Sequence, residues 1–241
     1  QKPGQKWGAL GYLAFLGNLC LMAFYSVVAG WMIYYCYKFV VGQYGNLGFV
    51  DMISNPVVNV GYLAVVVVVG FGVLSVNLQG GLERVTKYIM VALFVLMVVL
   101  AIRSGTLSGA AEGLRFYLTP DFSKINGMVV VAAMSQAFFT LSIGIGSMAI
   151  FGSYIDKDHS LLGESINIIC LDSFVAITAG LIIFPACFTY DMEVGAGPAL
   201  LFDTMATVFV NMEGGRFWGA LFFLFMVFAA MSTVFAVYEN I

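Results

Sequence analysis

The chain has 241 residues, of which 61% are hydrophobic and only 10% are charged, and its net charge is −3. Soluble domains carry roughly 25% charged residues, so this composition excludes an ordinary soluble protein and predicts an integral membrane protein. The ten Lys and Arg residues are scattered singly and form no basic patch, which excludes nucleic acid as a partner. We therefore expect the lipid bilayer to surround most of the chain.

Six apolar runs divide the sequence, and each predicts a transmembrane helix, since about 20 apolar residues cross a bilayer. The runs cover residues 7–37, 52–82, 88–102, 125–155, 166–190 and 217–238. Residues 112–118 have apolar side chains at helical spacing, which predicts a short interfacial helix, and Thr119-Pro-Asp121 predicts a turn or cap after it. The acidic connection 191–216 is predicted to hold another short helix at 200–209. The expected fold class is all-α.

Both ends of the sequence lack features that are usual at the ends of a membrane protein. The chain begins with Gln1 instead of Met, and Ile241 ends an apolar run without a polar tail. We expect residues 1–241 to form a single membrane domain that is part of a longer polypeptide. The charges leave its orientation open, because a cytoplasmic Gln1 would place equal numbers of basic residues on the two sides of the membrane.

The fourth run, residues 125–155, carries no charged residue, yet its centre is a poor helix former. Thr140, Ser142, Gly144, Gly146 and Ser147 lie there. Each glycine costs about 1 kcal/mol relative to alanine, and hydroxyls compete for backbone hydrogen bonds. We predict a break in this helix near the membrane midplane. Broken backbone at that depth must line a cavity or be enclosed by protein, so the break predicts a binding site.

Polar groups inside the runs have open interpretations. The hydroxyls of Thr140 and Ser142, two residues apart, converge only if the backbone unwinds; otherwise they bond back to their own helix. Asp172 is either a helix cap or turn, or an ion ligand or proton carrier. Ser232 and Thr233, which follow Ala229-Ala230, fit close helix packing and also fit a hard cation, which prefers oxygen ligands.

The remaining chemistry-bearing residues predict neither a metal centre nor an enzyme. The cysteines lie in apolar runs without metal or redox spacing, which predicts reduced and buried thiols: Cys20, Cys36, Cys170 and Cys187. His159 lies in a charged loop and is predicted to be solvated. No hydrolytic triad, phosphate-binding glycine loop or haem site occurs in the sequence. We therefore predict no catalytic residue and no organic cofactor.

Five stretches, in the same order along the chain, resemble the neurotransmitter:sodium symporters in their bacterial amino-acid-transporter form. They are residues 23–31 (AFYSVVAGW), 102–124 (IRSGTLSGAAEGLRFYLTPDFSK), 136–148 (QAFFTLSIGIGSM), 172–185 and 228–233 (FAAMST). The resemblance implies a leucine-transporter-like inverted-repeat fold with a broken central helix. The six runs would be the third to eighth helices, beginning in the cytoplasm. The family's unwound first helix, which supplies much of its substrate and sodium sites, would lie outside this chain.

The resemblance also implies a substrate site. Tyr25 would contact the substrate carboxylate, with Leu21 one turn earlier on the same face. Phe139 would cover the substrate, and Ser142 would meet its amine. The implied gate consists of Tyr25, Gln136 and Phe139. The implied substrate-binding set is Leu21, Tyr25, Phe139, Ser142, Ile145, Thr233 and Val237, and Val234 completes an apolar pocket.

Two sodium sites follow from the same resemblance. Thr140 and Asp172 would bind the first sodium ion. The carbonyl of Ala229 and the hydroxyls of Ser232 and Thr233 would bind the second. Asp172 stands where other members have an Asn, and its fixed negative charge would do what bound chloride does elsewhere. In agreement, Ala176 has no hydroxyl to hold chloride.

The sequence therefore predicts sodium-coupled symport of an apolar or aromatic amino acid by alternating access. The absence of an N-x-S/T sequon and the short connection between the first two runs favour a bacterial inner membrane. Two alternatives stay open. One is a proton-coupled broken-helix transporter that uses Asp172 as the carrier, and the other is a non-transporting membrane subunit whose helices serve only assembly.

Overall fold

The computed structural model describes residues 8–45, 47–75, 83–143, 152, 160–195 and 197–241. The first helices are α1 (Gly8–Val41), α2 (Phe49–Ile53), α3 (Pro56–Leu74) and α4 (Glu83–Gly105). They are followed by α5 (Ala110–Leu118), α6 (Gly127–Thr140), α7 (Leu161–Thr189), α8 (Met205–Asn211) and α9 (Gly215–Glu239). A 3₁₀ turn, Phe122–Lys124, precedes α6, and a π-helical turn, Leu200–Thr204, leads into α8. The predicted all-α fold is confirmed.

Five of these helices, α1, α3, α4, α7 and α9, are long and apolar enough to cross a membrane. They correspond to five of the six predicted spans, with ends that differ by several residues. The remaining predicted span, the fourth run at 125–155, is represented by α6, which has 14 residues and is too short to cross alone. Residues 144–151 and 153–155 of that span lie outside the described residues. The predicted interfacial helix is α5, and the predicted 200–209 helix begins as the π-helical turn.

Short polar residues set where the apolar helices begin. The Asn55 side chain accepts hydrogen bonds from the amides of Val57 and Val58, at 3.1 and 3.3 Å, and Pro56 follows it at the first helical position. Because of this cap, α3 begins at Pro56 and not at Met52 as predicted. Asp121 accepts from the Ser123 amide at 3.1 Å, which confirms the predicted cap after α5.

The core lies between α1 and α9, which pack along each other, with α3 and α4 against α9 and α7 against α4 and α5. Small residues permit these close approaches. The Phe39 ring of α1 lies directly on Gly219 of α9. A Cβ built on Gly70 of α3 would lie 2.6 Å from Cε2 of Tyr238.

The surface of α6 differs from that of the core helices. Every residue from Leu118 to Thr140 is exposed, although most residues of α6 are apolar.

Two cysteines on other apolar helices are exposed as well. Cys187 is buried, as predicted, but Cys20 of α1 and Cys170 of α7 are exposed, so the prediction of burial is wrong for these two. His159 lies outside the described residues.

Candidate functional site

Helix α6 ends at Thr140, inside the run that was predicted to break. The next three residues form a turn, in which the Ser142 amide donates to the Phe139 carbonyl at 3.1 Å and the Ile143 amide to the Phe138 carbonyl at 3.0 Å. Ser142 has φ of +54°, a left-handed conformation that is uncommon for a residue with a Cβ. The helix therefore stops at the hydroxyl residues, and the predicted break is confirmed there.

The end of α6 is joined to α7 by a side-chain hydrogen bond. Thr140 Oγ1 donates to Asp172 Oδ1 at 2.8 Å. Asp172 lies well inside α7, so its interpretation as a helix cap or local turn is wrong. The Thr140 hydroxyl bonds to this carboxylate, so its interpretation as bonding back to its own helix is wrong too. Two residues of the predicted first sodium site are thus in direct contact.

The electrostatics of this contact favour a positive charge. The last carbonyl groups of α6 give its C-terminal end a partial negative charge, and Asp172 adds a full one. Hydroxyl, carboxylate and carbonyl oxygens are the ligands that hard cations prefer. Within the described residues, no group of three or more His, Cys, Asp and Glu side chains is placed to hold a metal ion. The arrangement is suited to a small hard cation or a proton.

A second group of oxygen atoms lies in one turn of α9. Ser232 Oγ donates to the Ala229 carbonyl at 2.8 Å, and Thr233 Oγ1 donates to the same carbonyl at 3.3 Å. The three predicted ligands of the second sodium ion are therefore together. The helix continues unbroken through them, and the same bonds also fit helix packing, so the sodium role stays a prediction.

The predicted pocket residues occupy different environments. Leu21 and Tyr25 are half-buried on α1, and the Tyr25 ring lies edge-on to Phe24 at 5.5 Å. Val234 and Val237 of α9 are buried. Their roles in binding a substrate stay predictions.

The gate and lid residues lie on the exposed helix. Gln136 is exposed, and Phe139 is 51% exposed and packs on no described aromatic ring. Ser142 lies in the turn after α6 and is partly exposed. Ile145 lies outside the described residues. The structure thus joins α6 to Asp172, but the described residues alone do not enclose a substrate cavity around Phe139.

Two hydrogen bonds between distant parts of the chain were not predicted from the sequence. The Ser26 and Tyr238 hydroxyls lie 2.8 Å apart and link α1 to α9 next to Tyr25. Asp203, in the π-helical turn, accepts a hydrogen bond from the Phe49 amide at 3.1 Å. The sequence offers little sign of either, because both pairs join residues more than 150 positions apart.

Comparisons with known proteins agree with this architecture. Residues 45–241 match the model of the sodium:neurotransmitter symporter family. An uncharacterized sodium-dependent transporter of Haemophilus influenzae is 34% identical over 98% of this chain and 54% of its own length. The uncharacterized sodium-dependent transporter YhdH of Bacillus subtilis is 33% identical over 100% of this chain and 55% of its own length.

The chain is also similar to a solved structure, that of MhsT in complex with L-phenylalanine. The TM-score is 0.87 at 34% identity, over 99% of this chain and 56% of that one. The chain spans about half the length of the relatives it matches. The helices and these matches define a multi-pass membrane protein with a leucine-transporter-like fold. The chain belongs to the sodium:neurotransmitter symporter family, as the five stretches predicted.

Proposed function

We propose that this protein couples the downhill entry of sodium to the uptake of an apolar or aromatic amino acid by alternating access. The observation that carries the proposal is the hydrogen bond between Thr140 and Asp172 at the broken end of α6. It places a hydroxyl and a carboxylate together where a helix end adds further negative potential. Sodium would be a co-substrate at this site, and the family of sodium-dependent transporters supports that choice.

The hydrogen-bond geometry is compatible with sodium binding. A hydroxyl has one proton to donate and two lone pairs to offer. Thr140 can therefore keep its bond to Asp172 while a lone pair faces a cation. Asp172 keeps further acceptor positions for the same ion. The Asp172 charge would also compensate the positive charge of sodium, which is why we propose transport without chloride; Ala176, one turn later on α7, offers no hydroxyl.

The Ala229 carbonyl, Ser232 and Thr233 are proposed to hold a second sodium ion. In this role, both hydroxyls would turn lone pairs toward the ion beside the carbonyl they now contact. The family's helices beyond the ends of this chain would complete both sites. A bacterial inner membrane is the proposed location, supported by relatives from Haemophilus influenzae and Bacillus subtilis.

The substrate is proposed to lie between α1 and α6. Tyr25 would bind its carboxylate, Ser142 its amine, and Phe139 would close over it, with Gln136 at the outer gate. Leu21, Ile145, Thr233, Val234 and Val237 would face its side chain. That MhsT was solved with L-phenylalanine supports a large apolar side chain.

Equilibrium binding tests the proposal without requiring transport. Labelled L-phenylalanine and L-leucine are added to the purified protein in sodium and in potassium chloride. Binding that requires sodium is expected for at least one of them. Equal binding in both salts would contradict sodium coupling, and binding of neither amino acid would favour the non-transporting subunit.

The proton-coupled alternative rests on the same Asp172 carboxylate, which can hold a proton in place of sodium. Binding that increases as the pH falls and ignores sodium would select it. Replacing Asp172 by Asn would then abolish the coupling altogether, because an amide cannot carry the proton.

A further inference from the structure

Asp203 reaches a helix that lies 154 positions earlier in the chain. Its Oδ1 accepts a hydrogen bond from the amide of Phe49, the first residue of α2, at 3.1 Å. Gly48, which precedes α2, has no side chain with which to cap it. A carboxylate is favoured at a helix N-terminus, because the first amides lack acceptors within the helix. Asp203 therefore provides the N-terminal cap that the local sequence of α2 does not.

The neighbouring residue, Phe202, fixes the same turn by packing. Its side chain is 1% exposed and stacks on the Phe49 ring at 5.3 Å. It also lies edge-on to Trp31 at 5.8 Å and against Tyr35 at 5.2 Å, both on α1. Phe202 thus holds the π-helical turn on α1 and α2 by apolar contact. Asp203 holds the same turn on α2 through its charged carboxylate.

The other end of α2 is also held. Asn59 of α3 donates to the carbonyls of Met52 and Ile53, at 3.1 Å each. The same amide side chain accepts from Trp31 Nε1 at 2.7 Å. Helix α2 has only five residues and is too short to be stable alone, so its position depends on Asp203 at one end and Asn59 at the other.

Tyr35 adds an unusual group beside this cap. Its side chain is 0% exposed, and its buried hydroxyl has no hydrogen-bond partner among the described residues. Buried hydroxyls are costly without a partner. The Tyr35 ring lies 5.2 Å from the Phe202 ring, so Tyr35 joins this turn to α1 by packing and not by a hydrogen bond.

We propose that Asp203 is a positioning residue, whose carboxylate fastens residues 200–211 to α2 through the Phe49 amide, while the neighbouring Phe202 ring holds the same turn on α1 by packing. Two neighbouring side chains would then tie three elements together. The cap shares no hydrogen bond with Thr140, Asp172 or Ser232 among the described residues. The proposal therefore stands apart from the proposed sodium coupling.

Hydrogen–deuterium exchange of the purified full-length protein, without sodium or amino acid, tests this role. Asp203→Ala is expected to speed exchange at residues 49–53 and 200–211 about tenfold, since it removes a hydrogen bond to a charged group. Asp203→Asn is expected to have a smaller effect, because the amide oxygen still accepts from Phe49. Exchange in α9 should stay unchanged. Glu193→Ala, an exposed acid in the same connection, is the matched control and should change neither segment.

Tyr35→Phe separates the two ways in which the turn is held. It removes the hydroxyl, which has no partner among the described residues, but keeps the ring that packs on Phe202, so exchange at 200–211 is not expected to become faster. If Asp203→Ala does not fold, Asp203→Asn is compared with Glu193→Ala in its place. Unchanged exchange at 49–53 and 200–211 in the Asp203 variant, or uniform acceleration that includes α9, would overturn the proposal.

Discussion

The Thr140 hydroxyl and the Asp172 carboxylate join the last residue of α6 to the interior of α7 through a hydrogen bond of 2.8 Å. Thr140 is where the helical hydrogen bonding of α6 gives way to a turn, and Asp172 is an acid inside an apolar helix. Each of these features is costly within a membrane. Their contact supports one explanation that we propose for both, a site for a cation.

Replacing the Asp172 charge tests that explanation. Asp172→Asn keeps the shape of the side chain and its ability to accept from Thr140, but removes the negative charge. We expect the sodium concentration for half-maximal binding of the amino acid to rise about tenfold, because bonds to a charged oxygen are stronger than those to a neutral one. Ser173→Ala, the next residue of α7, is the control and should leave the sodium curve in place. An unchanged curve in Asp172→Asn would exclude this residue from the site.

The Thr140 hydroxyl can be tested by a pair of variants. Thr140→Ala removes the oxygen, and we expect the sodium requirement to rise about fivefold, the typical effect of one lost hydrogen bond or ligand oxygen. Thr140→Ser restores the hydroxyl and should return the requirement close to its original value. If serine and alanine behave alike, the methyl group of Thr140 matters and its oxygen does not.

A variant of Ser232 can distinguish a role in ion binding from a role in helix packing. Its hydroxyl bonds within its own helix, so Ser232→Ala should change the thermal midpoint in detergent very little. We expect the same variant to raise the sodium requirement for binding, since one ligand of the second ion is lost. A normal sodium curve, measured by titrating sodium at fixed amino acid, would assign Ser232 to packing alone.

Two glycines of α3 test the packing of the core. A Cβ on Gly70 would meet the Tyr238 ring at 2.6 Å, whereas one on Gly72 would meet nothing within 4 Å. We expect Gly70→Ala to destabilise the protein by about 1–3 kcal/mol through overpacking. Gly72→Ala should stabilise it slightly, by about 0.5 kcal/mol, because alanine is the better helix former. Thermal denaturation of both variants in the same detergent measures the difference, and equal midpoints would contradict the close approach of α3 and α9.

The membrane helices were predictable because a bilayer imposes a simple rule on sequence, a long run without charge. The break at Thr140 was predictable for a related reason, since glycines and hydroxyls weaken a helix in proportion to their number. The bond between Thr140 and Asp172 was not derivable from spacing alone, because the two residues are 32 positions apart. Only the family resemblance placed them in one site.

The contacts of Asp203 and Tyr35 could not be predicted from the sequence. Asp203 lies in the short helix predicted within an acidic connection, but its partner is a backbone amide, which leaves no mark in the sequence. Tyr35 likewise resembles any aromatic residue of an apolar helix. Exposure was also hard to foresee, since Cys20 and Cys170 lie in apolar runs but on helix faces that the described residues do not cover.

Sodium coupling itself is tested most directly by uptake into proteoliposomes that contain the full-length protein. Labelled L-phenylalanine and L-leucine are supplied with an inward sodium gradient, with an equal potassium gradient, or with an inward proton gradient at constant sodium, each with and without chloride. We predict concentrative uptake of at least one amino acid under the sodium gradient alone, unaffected by chloride. Uptake that persists in potassium and follows the proton gradient would contradict the account.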